Sequence, residues 1–542
     1  MATSPIIFLS GYYGFANTGD EAILIVLLAE WRARVPDARF LVVSGNPEHT
    51  EAAHGVKAVL WSDPLAIAEA VQSADLVVIG GGGLFHDYSG FIPDALLTSG
   101  NWGVGFHVTP AILAALYRRP LMLHAVGVGP LYSGHARRYL HAACDAALAI
   151  TVRDEPSRDL LADCGVSPDR VRVSSDPVFA WRPDPSIDTA AIFEKEGITQ
   201  WQPDPRPRVC VAIRHWSLGT HPEYWQQEVA RALDRFIDAE GGSVVFLPFQ
   251  RLSGEKEDDS AVASRTLAKM RHSHDGRAMM LKGSYSPAEV AAIAGSCDLV
   301  LGMRLHSLIF SMVYGKPCVA LSYDPKVAHA AAQAGLSDCC VELTSMTAEP
   351  LCEHLREALA TRPLASAEVL GRLRAEAVRD VELAAGLIGQ PPSPLSAEHL
   401  DMVRTATLAL LRKQSRLEAQ IAADTERHRD EIHYRDRLAR EQAERIQGLT
   451  IQLRQLAAEK ADLLSRLHFY TKDLSQRLKD YRSQRAWSIM LAIRKGYVMA
   501  FRSGFRGKMR FMRWLPGALI GRPGELESQE LKFPGFDPGS SL

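Results

Sequence analysis

Short apolar runs, each closed by glycine, proline or a polar residue, recur from residue 5 to residue 321, and stretches of helical spacing lie between them. Pro5–Leu9, Phe40–Val43, Asp75–Ile79, Pro120–Ala125 and Ala147–Val152 read as buried strands of one unit, which Val171–Phe179 closes. Val209–Ile213, Ser243–Leu247, Cys297–Leu301 and Cys318–Leu321 read as strands of a second. Ala22–Trp31, Glu223–Glu240 and Leu308–Val313 carry the helical period between them. Strands alternating with helices predict parallel sheets. The two halves also echo one another. Ser73-Ala-Asp-Leu-Val-Val-Ile-Gly-Gly matches Ser296-Cys-Asp-Leu-Val-Leu-Gly-Met-Arg, and each is followed by a helix and a proline-led strand. The expected fold is therefore α/β: two doubly wound units whose strand ends line a cleft.

Where this pattern breaks, the chain divides. Residues 1–181 form the expected N-terminal domain; the proline-rich stretch 182–207 is a connector with a short helical segment; and 208–388 form the second domain. Residues 251–265 are polar and read as a mobile loop. A linker at 389–400 precedes a long coiled coil over 401–484, where Ile446, Leu449, Leu453, Leu456, Lys460, Leu463, Leu467, Tyr470, Leu474, Arg477 and Tyr481 alternate spacings of three and four. Parallel self-association is the expectation, against a lone solvated helix. Residues 485–525 are basic and amphipathic, with nine Lys or Arg and no acid between Arg485 and Arg522, interleaved with Trp487, Phe501, Phe505 and Trp514. Such a segment suits an anionic membrane surface or a protein partner, although Gly496, Gly504 and Gly507 break its apolar face. Residues 526–542 read as a flexible tail.

At 542 residues the chain exceeds one core, and its net charge of −2 gives no reason to expect a nucleic-acid partner. Its eight cysteines show no CxxC pairing, the usage of a reducing compartment. No leader pattern and no transmembrane run is read, so the expectation is a cytoplasmic protein with peripheral contact at the inner face of the membrane.

The candidate chemistry lies at strand ends. Arg304 and His306 stand where the strand Cys297–Leu301 meets a helix, and Lys326 follows the next strand at the same edge. Open α/β sheets bind ligands there, and a helix N-terminus offers free N–H groups. Three such residues suit a small, multiply charged anion. Taken one at a time, they also read as a capping Arg, a core His and a solvated Lys. Gly11–Asp20 is a glycine-rich loop between strand and helix that is neither a P-loop nor GxGxxG; Asn17 and Asp20 there serve as ligands or as caps. The run Gly80–Gly83 implies close packing or close ligand approach. Asp94–Trp102 reads as an exposed active-site loop, and Arg153 after another strand binds an anion or a carboxylate. No ligand cluster argues for a metal.

With these residues in view, the segments GYYGFANTGDEAIL, VIGGGGLFHD, GVGVGPL, TVRDEPSRDLL, SDPVF, GMRLHSLIFS and GKPCVALSYDPKV, in this order over residues 1 to about 385, resemble the polysaccharide pyruvyl transferase family. The resemblance implies a GT-B-like pair of Rossmann-like domains around a cleft, phosphoenolpyruvate as donor substrate without other cofactor or metal, and a cyclic pyruvate ketal on a sugar as product. It carries Arg304, His306, Lys326 and Arg153 over as donor-binding and catalytic positions. The chemistry of ketal formation then suits His306 as the catalytic acid/base and Arg304, Lys326, Arg153 and Arg214 as the residues that hold the donor anion. Asn17, Asp20, Gly81, Gly82 and Gly83 would face the saccharide acceptor, itself free or lipid-linked. Arg forks and a Lys suit a carboxylate and a phosphate, and imidazoles as a class change charge near neutral pH. Two other readings use the same residues: a GT-B glycosyltransferase taking a nucleotide sugar, and a coiled-coil scaffold with a degenerate transferase domain. The intact RLH and DPK segments speak against the second.

Overall fold

The computed structural model describes residues 4–394 except Ser89, Asn101, 199–205 and 252–257, then isolated positions between 396 and 420, residues 447–462 and Ser465. The first sheet contains β1 (Ile6–Ser10), β2 (Arg39–Ser44), β3 (Lys57–Leu60), β4 (Leu76–Phe85), β5 (Leu121–Val128), β6 (Ala149–Val152) and β7 (Val171–Val173), in spatial order β3-β2-β1-β4-β5-β6-β7. The second contains β8 (Arg208–Ala212), β9 (Ser243–Phe246), β10 (Ala278–Met280), β11 (Leu299–Gly302), β12 (Cys318–Ser322) and β13 (Cys340–Glu342), in order β10-β9-β8-β11-β12-β13. Every pairing is parallel. In both sheets the order reverses beside the first strand, between β1 and β4 and between β8 and β11, and that crevice is where doubly wound sheets hold ligands.

The sequence sets these elements by burial and capping. The strands are almost wholly apolar because helices cover both faces of a parallel sheet. The helix Thr18–Arg34 starts where the Asn17 side chain accepts from Gly19 N–H, carries Asp20 and Glu21 in its first turn and ends with Arg32 and Arg34, each sign placed to match the helix dipole. One apolar core joins the two sheets, containing Ile7 and Val78 from the first, Val300 and Ala320 from the second, and Phe249 and Phe310 between them. After the second sheet the helix Ala367–Ala385 returns to the first. It buries Leu373, Ala377, Val381 and Ala384, and its Leu373 carbonyl accepts from Ser175 Oγ at 2.6 Å.

Three expectations change. The strand expected to end at Ile79 runs on through the glycines to Phe85, with a register shift against β5 after Gly82. The stretch expected as a mobile loop contains the helix Asp259–Leu267, capped by Asp258, and Asp259 is buried. The short edge strands β3, β10 and β13 carry too few apolar residues to signal themselves. Of the expected coiled coil, residues 447–462 are described as helix, with mostly exposed positions; most of its seam lies outside the described residues, as do residues 485–525 and 526–542. Among the described residues no helix is long and apolar enough to cross a membrane. All eight cysteines are unpaired thiols.

Candidate functional site

The loops leaving the two crevices meet. Thr18 N–H donates to the Phe249 carbonyl at 2.8 Å, and Asn17 forms an isolated antiparallel bridge with Gln250. The first turn of the helix Leu305–Val313 then brings His306 against the first turn of Thr18–Arg34. A Cβ at position 19 would sit 1.9 Å from His306 Nδ1, so only glycine lets the two turns approach this closely. On its other side His306 Nε2 lies 3.6 Å from Asp176 Oδ1.

Asp176 is buried at the end of β7, and its carboxylate accepts from Val178 N–H and lies 3.6 Å from Arg153 Nη1. Burial alone would raise its pKa; the charges of His306 and Arg153 and the hydrogen bond from Val178 N–H hold it below the ordinary carboxylate range. Asp20 behaves oppositely. Burial pushes it up to about 6, and His306 only partly offsets this while Glu21 and Asp176 add repulsion. Gly82, at φ +93°, packs against the same carboxylate, with the position of a Cβ 2.9 Å from Asp20 Oδ1. Gly83 lies beside the Arg153 guanidinium, and Gly81 packs on Ile23.

A second cluster occupies the other sheet's edge. Arg214 follows β8 and donates through Nη1 to Tyr323 Oη at 3.3 Å, while Lys326 Nζ lies 5.5 Å from the centre of the same ring. Burial would raise the Tyr323 phenol, but the charges of Lys326 and Arg214 bring it below its ordinary value. Lys326 Nζ is 3.4 Å from Asp324 Oδ2, which also accepts from the Tyr88 hydroxyl across the cleft. His86, near Tyr88, is lowered to about 4 by burial and then by the Lys326 charge. A small cavity joins the clusters, lined by Arg153, Asp154, Asp176, Leu305, Lys326 and Gln333.

Arg304, expected among the donor ligands, is committed elsewhere. Its Nε donates to Asp259 Oδ2 at 2.9 Å, and one Nη donates to Asp259 Oδ1 at 2.6 Å and to Gln250 at 2.9 Å. The pair is buried and braces the turn that presents His306. Thus His306, Asp20, Gly82, Gly83 and Arg153 come together, Lys326 and Arg214 meet at Tyr323, and Asn17 serves as cap and bridge. Sequence reasoning passed over Asp176, Asp259, Gln250, Tyr88 and Tyr323. Of these Asp176 and Tyr323 had a signal, each standing just past a strand within a quoted segment, SDPVF and GKPCVALSYDPKV. Among the described residues no group of three His, Cys, Asp or Glu is arranged to hold a metal.

The chain is 22% identical over 242 residues to the amylovoran biosynthesis protein AmsJ of Erwinia amylovora, a match covering 44% of this chain and 57% of that protein. Among solved structures it is similar to the UDP-GlcNAc 2-epimerase of Neisseria meningitidis bound to UDP-GlcNAc, at 11% identity and a TM-score of 0.44, over 70% of this chain and 99% of that one. It is similar also to a glycosyltransferase from Rickettsia africae, at 10% identity and a TM-score of 0.45, over 70% and 94%. The family model for polysaccharide pyruvyl transferase matches residues 17–325, which run from the capping Asn17 past His306 to the first turn of the helix bearing Lys326. That span is more than half of the chain and holds both crevices, and by it the chain belongs to the polysaccharide pyruvyl transferase family.

Proposed function

We propose that this chain transfers the pyruvyl group of phosphoenolpyruvate to two hydroxyls of a sugar in a cell-surface polysaccharide or its precursor, forming a cyclic ketal and releasing phosphate. The observation that carries the reading is the convergence between the sheets of Arg153 from one side and Lys326 from the other, around Asp176, which lies beside His306. Two cations suit a ligand that carries both a carboxylate and a phosphate.

In this reading a proton reaches the methylene carbon of the enol, making the methyl group and positive character at C2. One sugar hydroxyl adds to C2 and gives up its proton. The C2–O bond to phosphate then breaks, a second hydroxyl adds in its place, and its proton leaves. One proton is consumed and two are released, so a single proton departs with the phosphate or to solvent. His306 is the acid/base group, Asp176 fixes its ring and balances the imidazolium, and Lys326 and Arg153 hold the anion. Arg304, through Asp259, keeps the His306 turn in place.

Calorimetric titration tests this. Phosphoenolpyruvate is expected to bind the full chain, Lys326→Ala to weaken it at least tenfold, and His306→Gln to bind it while losing transfer. Binding of a nucleotide sugar with no binding of phosphoenolpyruvate overturns the reading and makes the chain a glycosyltransferase.

A further inference from the structure

Beside the crevice of the first sheet lies a group of aromatic rings that the chemistry above does not use. Tyr12 and Phe15 stand on the loop after β1, Trp61 follows β3, and Trp102 and Phe106 stand at the start of the helix Val104–Tyr117. Tyr12 and Phe15 are stacked, with centroids 4.3 Å apart. Trp102 meets Tyr12, Phe15 and Trp61 edge-on at 6.1, 5.9 and 5.1 Å, and Phe106 backs Trp61 at 5.9 Å. Phe15 can lie flat there because position 45 is glycine; a Cβ would come within 2.8 Å of its ring.

Apart from the buried Phe106 these rings are only partly buried, and Trp102 is 45% exposed. They come from three separate segments at the carboxyl edge of a parallel sheet, where loops carry function. A fold gains little by gathering four large rings there and leaving an indole in water.

We infer that this cluster is a stacking platform for sugar rings of the acceptor chain next to the ring that reacts, an inference that rests on the pyruvyl transfer reading. The chemistry fits a saccharide. A pyranose offers an apolar face of C–H bonds with hydroxyls round its rim, so it covers an aromatic face while its polar groups stay in water. Continuity decides the occupant: the loop bearing Tyr12 and Phe15 runs directly into Asn17, and then into Gly19 and Asp20 beside His306. A chain seated on the rings is therefore led toward the reacting centre. No base-specific or charge-bearing group is required of the ligand, only repeated pyranose faces, so a platform of several rings favours oligomers over monomers.

The test uses hexose oligosaccharides of the gluco, galacto and manno series, from one to six units, titrated calorimetrically into the full chain with phosphoenolpyruvate present. Binding is expected to tighten with length, to weaken at least tenfold in Trp102→Ala, and to return in large part in Trp102→Phe, while phosphoenolpyruvate binds Trp102→Ala as it binds the parent. Because Trp102 is exposed, the alanine variant should fold. Oligosaccharide binding unchanged in Trp102→Ala, or no oligosaccharide bound by the parent, overturns the platform. Loss of self-association in Trp102→Ala, seen by light scattering, overturns it too, in favour of a contact between copies. Trp102-dependent sugar binding with no phosphoenolpyruvate binding leaves the platform standing and removes the donor reading instead.

Discussion

A carboxyl group lifted to about 6 by burial, as at Asp20, is ionised at neutral pH only at a cost of up to about 3 kcal/mol. The native state holds this proton more tightly than the unfolded chain does. The group therefore favours folding at low pH, and that advantage disappears as pH rises through about 6. Asp20→Asn keeps the shape and removes the ionisation, so it is expected to stabilise the protein by about 1–3 kcal/mol at pH 7.5. At pH 5 the gain should shrink, since the carboxyl is then largely neutral in the fold. Urea unfolding at the two pH values decides it, and an equal gain at both would show that the carboxylate is not strained. The residue types at this site were readable because strand ends are readable: His306, Arg153 and Lys326 each follow an apolar run. Their partners were not, because Asp176 reaches His306 from 130 residues earlier and Asp259 reaches Arg304 from 45 residues earlier, and no local pattern encodes such pairings.

Among the elements, the helix Asp259–Leu267 and the turn before Leu305–Val313 are tied by the Arg304–Asp259 fork, which is removed from water on both sides. Breaking one side of such a pair leaves an unpaired charge inside the protein. Asp259→Ala is expected to cost about 3–5 kcal/mol, and Arg304→Met with Asp259→Leu to recover most of it. Chemical denaturation of the single and double variants checks this, and a double variant no better than the single would show that the fork is needed for more than its charges. The same helix shows why local reading failed over residues 251–265: Asp258 and Asp259 look solvent-bound in sequence, yet one caps a helix and the other turns inward. Four glycines in a row likewise look like a loop, but as part of β4 they leave room for Asp20 and Arg153.

Across the whole molecule, three imidazoles of the first half are held neutral by burial: His86 near 4, His107 near 3, and His124 below its ordinary value. Their depressed pKa values make the unfolded chain the stronger proton binder below about 6.5, so stability is present at neutral pH and falls as pH drops through that value. At pH 5 His86 and His107 each withhold about 2 kcal/mol, against the smaller opposite term from Asp20. The melting temperature is expected to fall from pH 7 to pH 5, and His107→Phe to flatten that fall. A slope identical to the parent's would mean that His107 is not the group responsible. At this scale the sequence was most legible, since two parallel sheets with matching crevices follow from strand–helix alternation alone. What alternation could not carry is the destination of the last helix, because an amphipathic stripe states that a face is buried but not against what.

That last helix has a consequence for how the chain is made. Ala367–Ala385 fills a groove on the first sheet's layer, so residues 1–181 leave the ribosome with the seat for Leu373, Ala377, Val381 and Ala384 still open. The first half therefore waits, apolar groove exposed, while roughly two hundred further residues are synthesised, an interval on the order of ten to forty seconds at ordinary elongation rates. Over that interval the open groove is the kind of exposed apolar surface that makes partly folded chains prone to aggregate, and a nascent chain halted after the second sheet would carry every residue of the site and still lack the piece that closes the first half.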